Sequence, residues 1–292
     1  MKSIEGIFPV LLTPFAEGAL DEAGLRHLVE HLIDSQVHGL VILGSTSENA
    51  YLTAEEKRQI IDVAVNQVRG RVPIIAGTGE MGTDATIALT KYARGAGIDA
   101  ALVAMPQFYA IEFERVKAHY ARIAHESRLP LLYYNFPKVT QLQLTPEQIA
   151  DIAAIEGVIG CKQTIFDNDE IAALVELTPP VSFSVVSGTT LNLSALASCG
   201  VVGAICALAN LAPRECVALY NAIKKGDEAS TNALNEFIRK FVPLVIRPDG
   251  QALLKEALRQ GGHPIEATVK DPLPQLTEED RHLVSEVLAS AG

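Results

Sequence analysis

Several functional classes are missing their usual marks. Four cysteines are scattered at Cys161, Cys199, Cys206 and Cys216 with no CxxC pair. Three of them fall in segments that read as buried helix or strand, so reduced core thiols of a cytosolic protein are expected. Basic residues are outnumbered, 24 Lys and Arg against 35 Asp and Glu, for a net charge of −11. That is the wrong sign for a nucleic-acid face. No apolar run reaches the roughly 18 residues that span a bilayer. Glu5 and Pro9 interrupt the first apolar stretch, so neither a membrane span nor a secretory signal is expected, and the localisation is read as cytoplasmic. A GxSxG hydrolase elbow is absent. Histidines are few and badly spaced for a metal: "HLVEH" (27–31) fits an inverted zinc-peptidase pattern, but Leu25, Leu28, Val29, Leu32 and Ile33 form the buried stripe of that helix, with His27 and His31 on its other side.

What is present is apolar and periodic. Of 292 residues, 48% are hydrophobic and 20% charged, a globular balance long enough for one large domain or two small ones. Eight strand-like runs recur: residues 6–15, 39–44, 72–77, 100–106, 130–136, 158–164, 183–188 and 202–208. They are continuously apolar rather than alternating, which suits a parallel sheet covered on both faces. Helical patterns fall between them. Thr53 with Glu56, and Thr145 with Pro146 and Gln148, are helix-start signals. An open doubly wound sheet shows the same alternation, but eight units point to a (β/α)8 TIM barrel over residues 1–227. Residues 228–292 add three C-terminal helices. No Ser- or Gly-rich linker precedes them, so they are expected to pack on the barrel.

In such a barrel, chemistry sits at the C-terminal strand ends. That rule selects Thr13, "GSTSE" (44–48) with Ser45 and Thr46, Tyr134 and Asn135, Lys162 and Thr164, and Gly188, Thr189 and Thr190. An apolar interior disfavours a charged amine. A free amine attacks a ketone to form an imine, which when protonated serves as an electron sink. A phenol one strand away, Tyr134, can move the protons this requires. Tyr133 then points the other way, because side chains alternate along a strand. Hydroxyls and backbone donors at "GSTSE", ahead of a helix start, suit a carboxylate. Taken singly, each residue has a plainer reading: a lysine reaching solvent, a packed aromatic, loop and capping hydroxyls. "GTGEMG" (77–82) fits GxGxxG, yet the following strand ends without the acidic residue of a dinucleotide site, which leaves a glycine-rich turn.

The pieces "GIFPVLLTPF", "GSTSENAYLTAEEK", "PLLYYNFP", "GCKQT", "GAICALAN" and "LLKEAL" fall in order over nearly the whole chain. Together they resemble the dihydrodipicolinate synthase / N-acetylneuraminate lyase family of Schiff-base enzymes. The resemblance implies the barrel with C-terminal helices and, usually, a homotetramer. It implies Lys162 as the Schiff-base lysine, Tyr134 as the proton-transferring tyrosine, and Ser45 and Thr46 as binders of the 2-oxo acid carboxylate. No metal or organic cofactor is implied. Against the family's pattern, Val139 stands where lysine-pathway synthases carry an arginine, with Lys138 adjacent. "GTTLN" lacks the acidic pair of sialic-acid lyases. Phe108, followed by Tyr109, occupies the position of a tyrosine offered to a neighbouring subunit, and Ser47 replaces a glycine.

The expected activity is therefore a class I lyase of aldolase type on a small 2-oxo acid, with Thr164, Gly188, Thr189 and Thr190 at the distal end of the substrate. Cleavage of 4-hydroxy-2-oxoglutarate or a 2-keto-3-deoxy sugar acid to give pyruvate is the leading expectation. Dehydration or deamination of a related acid, or dihydrodipicolinate synthesis, is the alternative. A barrel that binds a 2-oxo acid for regulation, without turnover, is the non-enzyme reading.

Overall fold

The computed structural model describes residues 4–105, 108–178 and 183–291. Eight strands recur along the chain: β1 (Gly6–Pro9), β2 (Leu40–Ile42), β3 (Ile74–Gly77), β4 (Ala100–Ala104), β5 (Leu131–Asn135), β6 (Val158–Gln163), β7 (Ser184–Ser187) and β8 (Gly203–Cys206). Between them run α1 (Glu22–Asp34), α2 (Ala54–Val68), α3 (Thr83–Ala96), α4 (Phe113–Ser127), the single turn α5 (Pro137–Thr140), α6 (Pro146–Ala153), α7 (Asn168–Leu177) and α8 (Leu193–Ala197). After β8 come α9 (Pro213–Lys225) and the three C-terminal helices α10 (Glu228–Arg239), α11 (Gly250–Gln260) and α12 (Glu278–Ala291). The fold is a (β/α)8 TIM barrel with added C-terminal helices, as the strand count implies.

Contacts divide the chain into two compact units, one built around residues 73–205 and the other around residues 7–72 and 206–292. In the first, β3 to β7 pair in parallel in chain order, and Ala204 of β8 pairs with Ser187 of β7. In the second, Val10 bridges Val41 in parallel and Leu11 N donates to Val41 O at 2.8 Å, which sets the end of β1 beside β2. The β5 run Leu131–Asn135 is buried throughout, which is why it lacks the alternation of a half-exposed strand.

Local signals act where the sequence places them. Thr53 and Glu56 close a reciprocal capping box on α2, and Thr145 and Gln148 another on α6, whose first position is Pro146. Cys161, Cys206 and Cys216 are buried, Cys199 is exposed, and all four are free thiols. The first apolar run is cut short, with β1 ending at Pro9. Phe15–Ala16 instead pairs antiparallel with Ala19–Leu20 in a small hairpin. Pro9 and Pro14 have no N–H to give a longer ladder. Gly79, inside "GTGEMG", has a packing role: a Cβ there would fall 2.7 Å from Ala104 O.

Within the second unit, His27 is exposed and His31 half-buried on α1, and both meet His263. His27 Nε2 lies 3.0 Å from His263 Nδ1, and the His31 and His263 rings are 4.4 Å apart. Among the described residues, no group of three or more His, Cys, Asp or Glu is placed to hold a metal ion, and no helix is long and apolar enough to cross a membrane.

Burial pushes the His119 imidazole from 6.5 down to about 4, and burial aided by His31 and His27 does the same to His263. In the unfolded chain these rings take up protons below about 6.5, whereas in the fold they stay neutral until about 4. The stability they contribute is therefore present above 6.5 and is lost as pH falls toward 4. Melting temperature should drop over that window, and His119→Gln should flatten the drop. An unchanged slope in the variant would assign the acid sensitivity elsewhere.

Candidate active site

Parallel pairing sets Tyr134 of β5 opposite Lys162 of β6, and Asn135 opposite Gln163. Since side chains alternate, Tyr134 and Lys162 share one face of the sheet, and Tyr133, Asn135, Cys161 and Gln163 share the other. Lys162 Nζ donates to Tyr134 Oη at 3.3 Å and lies 4.4 Å from the centre of the phenol ring. The two side chains are 4% and 6% exposed. The Tyr134 ring stacks on Phe136, 5.7 Å between centres. No carboxylate among the described residues pairs with Lys162, and its amine bonds the phenol instead.

The opposite face carries a polar chain. Tyr133 Oη donates to Asn135 Oδ1 at 3.4 Å, Asn135 Nδ2 to Gln163 Oε1 at 2.7 Å, and Gln163 Nε2 to Cys161 Sγ at 3.5 Å. Tyr120 of α4 meets the Tyr133 ring edge-on at 5.4 Å and donates to Val103 O at 2.7 Å. Burial raises both phenols well above their usual range and pushes the Cys161 thiol up to about 12. These groups stay protonated and serve as fixed hydrogen-bond partners. Gln163 was not singled out from the sequence, although its place one residue beyond Lys162 puts it on the far face by alternation alone.

At the ends of β6 and β7 the chain comes close to itself. Thr164 N donates to Asn135 O at 2.9 Å, and Gly188 N to Gln163 O at 2.6 Å. A Cβ on Gly188 would fall 2.4 Å from Thr164 Oγ1, so the glycine is what admits this approach. The hydroxyls of Thr164 and Thr190 are enclosed and lack a hydrogen-bond partner. Thr189 is engaged locally: its N–H donates to Ser187 Oγ and its hydroxyl accepts from Leu191 N, both at 3.2 Å. Ser187, Asn192 and Asn168 brace the loop through bonds of 2.9 and 3.2 Å, a support that the motifs did not announce.

Ser45 and Thr46 lie in the other unit, on the turn after β2. Ser45 is exposed and Thr46 half-buried. The turn closes through Ser47 N to Gly44 O and Glu48 N to Ser45 O, both 3.1 Å. Ser47 Oγ donates to Leu11 O at 2.6 Å and accepts from Gly44 N at 3.2 Å, while Thr13 Oγ1 donates to Ser47 O at 2.9 Å. The serine thus staples the turn to the end of β1, which a glycine would not do. Behind the turn, a 3-10 turn, Asn49–Tyr51, precedes the helix, and α2 begins at Ala54 with Thr53 capping its first turn, as the sequence signal places it. Carboxylate binding at this turn would fall to its own hydroxyls and backbone. Val139 is exposed on α5, and Phe108 and Tyr109 are exposed and edge-to-face at 5.0 Å.

A lysine amine can form an imine with a carbonyl compound, the chemistry on which class I lyases rely. The chain is a member of the dihydrodipicolinate synthetase family, whose model matches residues 3–291. It is 33% identical over 291 residues to the 4-hydroxy-tetrahydrodipicolinate synthase of Methanoculleus marisnigri, covering 99% of each chain. It is 32% identical over 288 residues to the enzyme of that name from Thermodesulfovibrio yellowstonii, covering 99% of this chain and 98% of the other. Among solved structures, YagE, a prophage protein of this family from E. coli K12 in complex with pyruvate, superimposes with a TM-score of 0.94 at 29% identity, over 99% of this chain and 98% of that one. The dihydrodipicolinate synthase of Thermotoga maritima gives 0.94 at 28% identity with the same coverage.

Removing one amide of the buried Asn135–Gln163 pair leaves the other unsatisfied. Asn135→Ala should cost about 1–3 kcal/mol of stability in urea denaturation. The double variant Asn135→Ala/Gln163→Ala should cost less than the sum of the singles. Strict additivity would mean that the two amides are not coupled.

Proposed function

We propose that the protein forms an imine between Lys162 and the ketone of a small 2-oxo acid, and makes or breaks the carbon–carbon bond next to it. The observation that supports this is the buried 3.3 Å contact between Lys162 Nζ and Tyr134 Oη. The free-base amine adds to the ketone carbon, and loss of water gives the imine. Protonated, the imine draws electrons from the neighbouring carbon, so a proton or an aldehyde can leave it and an enamine remains. Tyr134 carries protons to and from the carbinolamine and the departing oxygen. Ser45 and Thr46 take the acid's carboxylate. Thr164, Gly188, Thr189 and Thr190 take its distal end, where the two enclosed hydroxyls without partners are ready for a polar group.

Two finer readings share this imine. The names of the curated relatives support 4-hydroxy-tetrahydrodipicolinate synthase, in which the enamine adds to an aldehyde. Cleavage of 4-hydroxy-2-oxoglutarate or a 2-keto-3-deoxy sugar acid is favoured by one observation, the uncharged and exposed Val139 where synthases carry an arginine. A cytoplasmic homotetramer, with a catalytic barrel to residue 227 and a helical extension from 228, belongs to the same proposal.

Borohydride with pyruvate should fix an adduct on Lys162, located by peptide mass mapping, and Lys162→Ala should lose both adduct and turnover. Adduct formation elsewhere, or none, would end the proposal. Tyr134→Phe should slow turnover by about 10²–10⁴-fold. A panel of pyruvate with aldehydes, 4-hydroxy-2-oxoglutarate and 2-keto-3-deoxy sugar acids separates the finer readings: release of pyruvate from one of the hydroxylated acids supports the aldolase, and consumption of pyruvate with no release from any of them supports the synthase.

A further inference from the structure

A second buried lysine lies away from the imine chemistry. Lys255 of α11 is 0% exposed. Its Nζ donates to Glu48 Oε1 at 2.5 Å and to Thr268 O at 2.7 Å, 4.6 Å from the centre of the Phe15 ring. The second oxygen of Glu48 accepts from Lys270 N at 2.7 Å, and the Lys270 side chain turns instead to Glu56. One helical turn before Lys255, Gln251 Nε2 donates to Ser45 O at 3.4 Å. Residues 251 and 255 stand on one side of α11, and both end on the turn at 45–48. That turn is bounded by two non-glycine residues in left-handed backbone, Leu43 at φ 55° and Glu48 at φ 63°. Each such residue costs of order 1–3 kcal/mol and persists only where its surroundings fix it. For Glu48, the fixing contacts are the Lys255 ammonium and the Lys270 amide. Burial pulls the Lys255 ammonium down from its ordinary range, and the Glu48 carboxylate opposes that pull.

A buried carboxylate beside a turn that receives another carboxylate repels it unless the charge is cancelled. We propose that Lys255 and Glu48 form a positioning pair through which the C-terminal helix α11 holds the carboxylate-binding turn and neutralises the negative charge buried behind it. The proposal rests on the reading that Ser45 and Thr46 bind the carboxylate of the 2-oxo acid. Lys255 touches no reacting atom. It acts through the turn, and its effect belongs to substrate affinity rather than to the bond-breaking step.

The test is the half-saturating pyruvate concentration for borohydride trapping, with KM and kcat for whichever substrate turns over. Lys255→Met should raise half-saturation and KM by about tenfold or more while kcat stays within about threefold. Glu48→Gln removes the repelling charge, so KM should stay at or below the native value. Lys255→Met/Glu48→Gln should return KM toward native. A purely structural pair would move both single variants in the same direction, in step with melting temperature, and that result overturns the proposal. If Lys255→Met does not fold, Glu48→Gln decides alone: a raised KM overturns the proposal, and an equal or lower one supports it. Ser45→Ala/Thr46→Ala separates the two levels. Unchanged half-saturation there removes the reading of the turn itself, whereas a rise there with native affinity in Lys255→Met removes only the role of the pair.

Discussion

The register between β5 and β6 is the constraint on which the lysine–phenol pair depends. Parallel pairing puts Tyr134 opposite Lys162, and the two-residue period of a strand puts both on the same face. A slip of one residue would send one of them to the other face. The register is held from behind. On the far face the Asn135 amide bonds that of Gln163, the residues immediately following Tyr134 and Lys162. In that burial a mispaired register would strand both amides without partners, at about 1–3 kcal/mol for each unsatisfied group. The face that carries the lysine and the phenol thus takes its geometry from a hydrogen bond on the opposite face.

Lys162 and Lys255, both buried, show how one side chain serves opposite ends. Lys255 meets a carboxylate at 2.5 Å and a carbonyl at 2.7 Å, so its donors are spent on partners that favour an ammonium. Lys162 meets a phenol at 3.3 Å and the face of its ring. The first arrangement suits a strut, because removing either member leaves a buried charge alone. The second suits a nucleophile, because no fixed negative charge ties up the amine. Burial is nearly the same for both, and the chemistry of the neighbours separates them.

Those neighbours are unequally visible in a sequence. Lys162 and Tyr134 were legible because each depends on local rules, strand alternation and the location of barrel chemistry at strand ends. The capping boxes at Thr53 and Thr145 were legible for the same reason, since both partners lie within one turn of helix. The Glu48–Lys255 pair was not, because its members are 207 residues apart and each alone is an ordinary charged residue. Periodicity placed His27 and His31 off the buried stripe of α1, but nothing local indicated that His263 would meet them. The small hairpin at Phe15–Leu20 and the short helices α5 and α8 fell below the length at which a periodic signal can be read. The turn at 44–48 and the helix start at Thr53 behind it were legible, but the support of the turn was not, because Ser47, Thr13 and α11 hold it through contacts that no local pattern marks.

Condensation and cleavage are one step run in opposite directions through the same enamine, so the lysine and the phenol do not choose between them. Whatever binds the far end of the substrate does. A charged tail needs a partner, since an ion taken from water into a protein interior without one is strongly disfavoured. At the end of β5 the single turn α5 presents Val139 in an exposed position, with Lys138 one residue before it. At the ends of β6 and β7 the enclosed hydroxyls of Thr164 and Thr190 offer hydrogen bonds without charge. Hydroxyls of that kind can bond either a hydroxylated tail or an ionic one. On the proposed placement of the substrate, the charge of its distal group would be met at α5, and its hydrogen bonds at the ends of β6 and β7. On that placement, the distal site reads the tail of the substrate rather than the direction of the reaction.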